Sequence, residues 1–424
     1  MSETQEQAAR GVDLRINFDR LQKEIMELAR IGQRPDRGIY RMAFTDEDMA
    51  GREWFKEKIR RAGLEPRQDG AANLGTRWGG AEDQAVLLVG SHLDTVPKAG
   101  HLDGSLGVLC GFEALRRIKE EGIFLARPVE VISFTDEEGR FGGLFGSQAL
   151  AGEINPQMLY EARDLDGISL VEAMRRQGLD AMAALEARRS PESIDRYLEL
   201  HIEQGPLLDE EQCHVGIVEQ ITGLFKWSVK LEGAANHAGT TPMHLRKDPF
   251  LGLAEFAGEI PRLLEENGTD LSRATIGKVE LYPGVANTVP GEVIFSLDVR
   301  DPDPAILDEL SRAMHRALAA IARRRDLFFH YDVLSRVEPV ACDPRILEVL
   351  ASEAERLALR SLRLPSGAAH DAQIVAHIAP IGMLFVPSKG GRSHSPAEWT
   401  SWSDIEAGAN LFLQTILRLA GARD

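Results

Sequence analysis

Cysteine is scarce in this sequence. The 424 residues include only three cysteines, Cys110, Cys213 and Cys342, and these lie far apart along the chain. An odd number of widely spaced cysteines does not build the disulfide framework of a small secreted protein. We therefore expect a protein of the reducing cytoplasm, without such a framework.

Long apolar runs and an excess of positive charge are also missing. No apolar run approaches the roughly 18 residues of a transmembrane helix, and the opening MSETQEQAARGVDLRINFDR lacks the basic and then apolar pattern of a signal peptide. The net charge of −17 argues against a nucleic-acid partner, because neutralising phosphates requires a basic surface. We expect a soluble globular protein that binds neither membrane nor nucleic acid.

The chain length predicts two domains, because a single hydrophobic core rarely extends over 424 residues. Apolar runs at 85–91, 128–135 and 197–202 alternate with helical patterns. This alternation favours an α/β fold with a mixed, largely parallel sheet and helices on both of its faces.

The pattern changes from about residue 215 to about residue 335. Strand-like segments such as FKWSVKLEG and GEVIFSLDVRD are separated by turns, and helices are expected near 247–265 and 302–324. We therefore predict a discontinuous catalytic domain, residues 1–214 and 336–424, with a smaller α+β domain, residues 215–335, inserted into it.

Side chains that bind metal ions follow the apolar runs of the larger domain. In chain order they are His92, Asp94, Asp103, Asp136, Glu137, Glu138, His201, Glu203 and His394. Ligands of open α/β sheets bind at the carboxyl ends of the strands, so we expect these groups to converge there. Imidazoles and carboxylates together suit zinc or a similar first-row ion. One ion takes three or four ligands, so a set this large indicates two ions that share a carboxylate, about 3.5–4 Å apart.

Several longer segments resemble one known family, in the same order along the chain. They are GSHLDTVPKAGHLDGSLGVLCGFEAL, FTDEEGRFGGLFGSQALAG, ELHIEQGPLLDEE, NHAGTTPMHLRKDP, ANTVPGEVIFSLDVRDPD, SGAAHDAQIVAHIAPIGMLFVPS and GRSHSPAEWT. Together they resemble the hydantoinase/carbamoylase branch of the M20 metallopeptidase superfamily over about residues 85 to 405. That branch includes N-carbamoyl-L-amino acid hydrolases, allantoate and ureidoglycolate amidohydrolases and some β-ureidopropionases.

The resemblance implies a site for two divalent metal ions in each subunit. Its ligands would be His92, Asp103, Glu138, His201 and His394, with Asp103 as the bridge. Zinc is the first expectation, and manganese, cobalt and nickel remain alternatives.

The resemblance also implies roles in catalysis. Glu137 resembles the general base of the family, and Asp94 would accept the second imidazole N–H of His92 and so fix its tautomer. His237, in NHAGTTP, resembles a histidine that stabilises the oxyanion, usually from the neighbouring subunit of a homodimer. The inserted domain would then serve as the dimerisation or lid domain.

Further residues correspond to family positions that hold the substrate: Gln204, His237, Asn287, Arg300 and His370. Arg300 suits a substrate carboxylate, which a guanidinium binds through two hydrogen bonds. A salt bridge to Asp298 or Asp301 is the structural alternative for this arginine. In SGAAHDA, Ala369 replaces the glycine of the more common SGAGHDA, which changes the backbone freedom of that loop.

These features predict a metal-dependent amidohydrolase that splits the C–N bond of an N-carbamoyl (ureido) amino acid, releasing the amino acid, CO2 and ammonia. Allantoate and ureidoglycolate are alternative substrates, followed by the dipeptides or acylamino acids of the wider superfamily. His201 favours the carbamoylase branch, since the peptidases usually have an aspartate there. A binding protein without activity is disfavoured, because it has no need to keep Glu137.

Overall fold

The computed structural model describes residues 14–423, so most of the segment searched for a signal peptide lies outside it. The described chain forms two compact units. Unit 1 consists of the described parts of Met1–Glu219 and Cys342–Asp424, and unit 2 is Gln220–Ala341. Across residues 14–423, none of the helices combines the length and apolar character needed to cross a bilayer.

The helices, in chain order, are α1 Phe18–Leu28, α2 Asp46–Arg61, α3 Ser105–Glu120, α4 Phe145–Ala151, α5 Pro156–Glu161, α6 Leu170–Arg176, α7 Leu207–Glu210, α8 Pro249–Asn267, α9 Pro304–Arg324, α10 Pro344–Arg356, α11 Asp371–Val375 and α12 Trp402–Leu419. Short 3-10 helices lie at Ala181–Ala187, Pro191–Ser193, Met243–Leu245 and Lys389–Gly391.

The strands are β1 Arg67–Gln68, β2 Leu74–Trp78, β3 Val86–His92, β4 Phe124–Leu125, β5 Val129–Phe134, β6 Ile194–Ile202, β7 Val215–Ile221, β8 Gly223–Glu232, β9 Asn236–His237, β10 Arg273–Thr275, β11 Val279–Tyr282, β12 Thr288–Val289, β13 Glu292–Asp301, β14 Phe328–Val337, β15 Val340–Ala341, β16 Ser361–Ser366, β17 Ile381–Val386 and β18 Ala422–Arg423.

The large sheet has the strand order β1-β2-β5-β3-β6-β17-β7-β15, with β16 beside β7. Its four central strands, β5, β3, β6 and β17, run parallel to one another. The flanking pairs β2 with β5, β17 with β7, and β7 with β15 are antiparallel. The predicted mixed α/β fold is therefore confirmed, and its parallel part is the centre of the sheet.

Local sequence explains the main elements of unit 1. Every residue of β3, VLLVGSH, is buried, as expected for a central parallel strand covered on both faces. Helix α2 begins where the Thr45 side chain accepts a hydrogen bond from Asp48 N. Its first turn is acidic and its last turn basic, which stabilises the helix through its dipole.

Unit 2 contains an antiparallel sheet in the order β10-β13-β8-β14, with β11 also paired to β13. Alternate residues of β8 and β13 are buried, because one face of the sheet carries the core and the other does not. That core includes Phe225, Phe295 and Leu310, the last of which belongs to α9. Strand β14 is an edge strand of this sheet, and Phe328, Val333 and Leu334 on it are exposed.

The two units divide at Glu219/Gln220 and at Ala341/Cys342. The predicted boundaries, 214/215 and 335/336, lie a few residues earlier. The difference arises because residues 216–218 of β7 pair with β17 of unit 1, and because β14 continues to Val337 beside β8 of unit 2.

Candidate metal centre

Four neighbouring parallel strands lead to the candidate site. Strand β3 ends at His92, and His201 lies in the last residues of β6. The segment with Glu137 and Glu138 follows β5, and the loop with His394 follows β17. Because these strands are parallel, their carboxyl ends meet at one edge of the sheet.

One group of donor atoms surrounds the first carboxylate oxygen of Asp103. Asp103 Oδ1 lies 3.2 Å from His201 Nε2 and 3.7 Å from His92 Nε2. All three residues are buried, and their donor atoms lie within 4.8 Å of one another. Two imidazoles and one carboxylate in this arrangement can bind one metal ion.

A second group surrounds the other oxygen of the same carboxylate. His394 Nε2 lies 3.5 Å from Asp103 Oδ2 and 3.4 Å from Glu138 Oε2. The donor atoms of this group also lie within 4.8 Å of one another. The structure thus brings the five predicted ligands together, with Asp103 common to both groups.

Gly104 allows the turn that places Asp103 beside His92 at the end of β3. Its φ of +61° is disfavoured for other residues, and an added Cβ would lie 2.2 Å from the His92 ring. Gly104 N also donates to His201 Nε2 at 3.2 Å. A glycine is therefore required directly after Asp103.

Several carboxylates and imidazoles are buried close together, and this changes their pKa values. Burial, together with nearby carboxylates, raises the pKa of Glu137 and that of Glu138 well above the usual value. Burial lowers the pKa of His92 to about 4, whereas at His201 Asp103 outweighs burial and raises the pKa to about 9. His201 differs because it lies closer to Asp103 and is also near Glu199.

A divalent cation fits this environment. Its charge would stabilise the ionised carboxylates and the neutral imidazoles that act as ligands. Glu138 Oε1 is buried and has no hydrogen-bond partner within residues 14–423, as expected of an atom reserved for a ligand. The nitrogen and oxygen donors are those that zinc and related first-row ions accept.

The predicted contact of Asp94 with the second imidazole nitrogen of His92 involves the Asp94 backbone. His92 Nδ1 lies 3.0 Å from the backbone carbonyl oxygen of Asp94, not from its carboxylate. The carboxylate instead accepts hydrogen bonds from Glu137 N at 3.4 Å and from Glu138 N at 3.2 Å. Asp94 therefore positions His92 through its backbone and the two glutamates through its side chain.

Glu137 stands beside the first group. Its Oε2 lies 3.5 Å from His92 Nε2. Gln204, predicted to bind substrate, donates from Nε2 to Asp103 Oδ2 at 2.7 Å. His370 is buried, with its ring centroid 4.7 Å from that of His201 and its Nε2 2.8 Å from Ser366 Oγ. These three residues lie around the two groups of donor atoms, which together form the ligand cluster.

Sequence reasoning missed Ser393 and Glu398. Glu398 is only 2% exposed, and its Oε1 accepts hydrogen bonds from Leu102 N at 2.8 Å and Asp103 N at 3.1 Å. Ser393 Oγ lies 2.6 Å from Asp103 Oδ2 and 3.1 Å from Glu398 Oε2. The available signal was a carboxylate four residues after His394 in SHSPAE.

The other predicted substrate residues belong to unit 2. His237 pairs with Thr288 between β9 and β12, and Ala238 N donates to Asn287 O at 2.9 Å, so His237 and Asn287 are close neighbours. His237 is exposed, and Gly239 N donates to its Nδ1 at 3.1 Å. This bond leaves Nε2 as the ring atom available to a ligand.

Arg300 forms one of the two salt bridges considered from the sequence. Its Nε donates to Asp298 Oδ1 at 2.9 Å. Asp301 is fully buried and instead accepts hydrogen bonds from the hydroxyl groups of Ser272 and Thr269. The Arg300 guanidinium is thus held by Asp298 on its own strand.

Comparison with known proteins identifies the family. The profile of Peptidase family M20/M25/M40 matches residues 88–418. An N-carbamoyl-L-amino acid amidohydrolase from Geobacillus stearothermophilus is 41% identical over 409 residues, 96% of this chain and 99% of that protein. An allantoate amidohydrolase from Bacillus subtilis is 36% identical, covering 93% of this chain and 95% of that protein.

A solved structure supports the same assignment. The crystal structure of an amidase of the hydantoinase/carbamoylase family from Burkholderia multivorans is 33% identical, with a TM-score of 0.88, and covers 96% of this chain and 99% of that chain. The chain therefore belongs to peptidase family M20/M25/M40. Within that family it is an amidohydrolase of the hydantoinase/carbamoylase branch.

Proposed function

We propose that this enzyme hydrolyses an N-carbamoyl (ureido) amino acid to the amino acid, CO2 and ammonia, using two divalent metal ions. The observation that carries the proposal is the Asp103 carboxylate, whose two oxygens face two separate groups of ligand atoms. The similarity to the Geobacillus N-carbamoyl-L-amino acid amidohydrolase supports this choice of substrate. Allantoate is the second candidate, since allantoate amidohydrolases are also similar.

The proposed metal ligands are His92, Asp103, Glu138, His201 and His394. Zinc fits this donor set best, and manganese, cobalt or nickel would also be accepted. When bound, the ions supply Lewis acidity, which lowers the pKa of a coordinated water and polarises the ureido carbonyl. Gln204, Ser393 and Glu398 keep Asp103 in its shared position.

Glu137 is the proposed general base. Its carboxylate stands beside His92 and takes no part in either ligand group. Its raised pKa, caused by burial and by neighbouring carboxylates, suits a group that takes a proton from water and returns it to the leaving nitrogen. Asp94 contributes by holding the Glu137 backbone.

The substrate anchors are proposed in both units. Gln204 and His370 lie around the cluster in unit 1, and Asn287, Arg300 and His237 belong to unit 2. Arg300 would bind the substrate carboxylate through its guanidinium. His237 would donate to the oxygen that becomes negatively charged in the transition state.

Unit 2 is also the proposed dimerisation or lid domain. Strand β14 supports this role, because a long edge strand with exposed apolar side chains is suited to pairing with another chain. In such a homodimer, His237 would act on the partner's site.

The test is an ammonia-release assay on chelated protein reconstituted with zinc, manganese, cobalt or nickel. The substrates are a set of N-carbamoyl-L-amino acids, allantoate, ureidoglycolate and a dipeptide. We expect no turnover without metal and the highest kcat/KM with an N-carbamoyl-L-amino acid. Full activity of demonstrably metal-free protein would refute the metal mechanism. A preference for allantoate or for the dipeptide would replace the proposed substrate.

A further inference from the structure

A small cavity in unit 1 lies next to the candidate metal centre. Its volume is about 170 Å³, and Met42, Val96, Pro97 and Leu165 form its apolar wall. Glu138 also lines the cavity. The same glutamate has its Oε2 3.4 Å from His394 Nε2, so the cavity and the ligand cluster share a wall.

Glu138 connects the two features. Because it lines the cavity and also belongs to the second group of donor atoms, the side chain of a substrate whose ureido group lies at that group would extend past Glu138 into the cavity.

Two of the charged side chains that line the cavity, Arg140 and Asp164, pair with each other. Arg140 pairs with Asp164 at 3.0 Å and donates to Ala43 O at 2.6 Å. The second oxygen of Asp164 accepts hydrogen bonds from the backbone N–H groups of Asp166 and Ile168. The Asp166 side chain is exposed at the rim and adds negative charge there. An acidic ligand group in the cavity would therefore be repelled by this negative charge. Arg140, the cation among the lining residues, is already paired with Asp164.

Leu165 gives the cavity an apolar mouth. Its relative exposure is 105%, so the side chain is as accessible as in an extended peptide. An apolar ligand group in the cavity would cover this leucine and remove both surfaces from water. Ligand pockets commonly combine such apolar walls with a few fixed polar groups, here those of the metal cluster.

We propose that the wall formed by Met42, Val96, Pro97 and Leu165 binds the amino-acid side chain of the substrate and selects uncharged aliphatic side chains of the size of leucine or methionine. The inference rests on the proposed hydrolysis of N-carbamoyl amino acids. A volume of about 170 Å³ holds one such side chain but not a peptide. Allantoate is disfavoured, because its second ureido group would lose its hydrogen bonds to water against this wall.

The first measurement compares kcat/KM for the N-carbamoyl derivatives of L-leucine, L-methionine, glycine and L-aspartate in the wild-type holoenzyme. We expect the leucine and methionine derivatives to exceed the glycine derivative by about 10- to 100-fold, as is usual for filling an apolar pocket. The aspartate derivative should fall below the glycine derivative.

The second measurement uses variants at the mouth of the cavity. Leu165→Ala should lower the leucine-to-glycine ratio of kcat/KM by roughly 3- to 10-fold, because part of the wall is removed. Leu165→Lys should raise the aspartate-to-leucine ratio by introducing a cation at the rim. Leu185→Ala is the matched control, since Leu185 is also exposed but does not line the cavity. It should leave both ratios at the wild-type values.

The possible outcomes separate this inference from the proposed function. Equal kcat/KM for the leucine and glycine derivatives in wild type would overturn the inference and leave the hydrolysis intact. A wild-type preference that persists unchanged in both Leu165 variants would also overturn it. If none of the carbamoyl amino acids is hydrolysed, the proposed function is refuted and this inference with it.

Discussion

Removing the Glu398 carboxylate should weaken metal binding although Glu398 is not a proposed ligand. Its Oε1 accepts hydrogen bonds from Leu102 N and Asp103 N, and its Oε2 lies 3.1 Å from Ser393 Oγ. Ser393 in turn reaches Asp103 Oδ2. Glu398 thus fixes the backbone of Asp103 and, through Ser393, its side chain.

The size of the effect follows from these contacts. Glu398→Ala leaves two backbone N–H groups unpaired in a buried place, and each such loss costs about 1–3 kcal/mol. The free energy of unfolding should therefore fall by roughly 2–6 kcal/mol in the metal-free protein. Removing a group that orients a metal ligand typically lowers the metal affinity by about 10- to 100-fold. Glu398→Gln keeps one acceptor oxygen and should have a smaller effect on both quantities.

The assay is a competition titration of the purified apo-protein against a zinc chelator, combined with chemical denaturation. Asp301→Ala is the matched control. Asp301 is also a fully buried carboxylate, and it accepts hydrogen bonds from one backbone N–H, at Asp303, and two hydroxyl groups, but it belongs to unit 2. The control should lose stability and retain wild-type metal affinity.

Equal metal affinities of wild type and Glu398→Ala would refute this reasoning, provided that the variant is folded. The same conclusion would follow if Asp301→Ala lowered metal affinity as much as Glu398→Ala. The loss would then reflect general destabilisation and not the positioning of Asp103.

Three further predictions concern the proposed catalytic residues. Glu137→Gln should lower kcat by about 10²- to 10⁴-fold and retain near-normal metal content. Glu138→Gln should instead lose metal. Equal metal loss in both variants would contradict the assignment of Glu137 as base and Glu138 as metal ligand. Mixing inactive Glu137→Gln and His237→Ala subunits should restore some activity, because one site of the mixed dimer has both residues intact. If mixed dimers form but stay inactive, His237 acts on the site of its own chain or has a structural role. Arg300→Ala should largely abolish the preference for an N-carbamoyl amino acid over its carboxamide, since a lost charge-assisted pair costs about 2–5 kcal/mol. Arg300→Lys should not restore this preference. If Arg300→Ala keeps the wild-type preference, Arg300 is not the carboxylate anchor.

The central strands and the position of the cluster could be predicted from the sequence. The expected strands at 85–91 and 128–135 correspond to Val86–His92 and Val129–Phe134. Fully buried strands are read directly from continuous apolar runs. Their parallel arrangement places the residues that follow them at one edge, so the convergence on Asp103 needed no knowledge of side-chain geometry.

Side-chain hydrogen bonds in the loops could not be predicted in the same way. The acceptor for His92 depends on how the chain turns after β3, and the Asp94 carboxylate points to the backbone of Glu137 and Glu138. The contact between Glu398 and Asp103 joins residues 295 positions apart. The pairing of Arg300 with Asp298 could be predicted from the sequence, because residues two apart lie on the same face of a strand.

The position of β17 has a consequence for the biosynthesis of the enzyme. This strand lies between β6 and β7 in the large sheet, yet it is synthesised only after the whole of unit 2. A growing chain exposes its domains from the N-terminus at about 5–20 residues per second. Unit 2 can therefore complete its core on the ribosome while the sheet of unit 1 still lacks one of its four central parallel strands. Until β17 is synthesised, the edges of β6 and β7 that face it lack their partner, and such unpaired strand edges can pair with other chains.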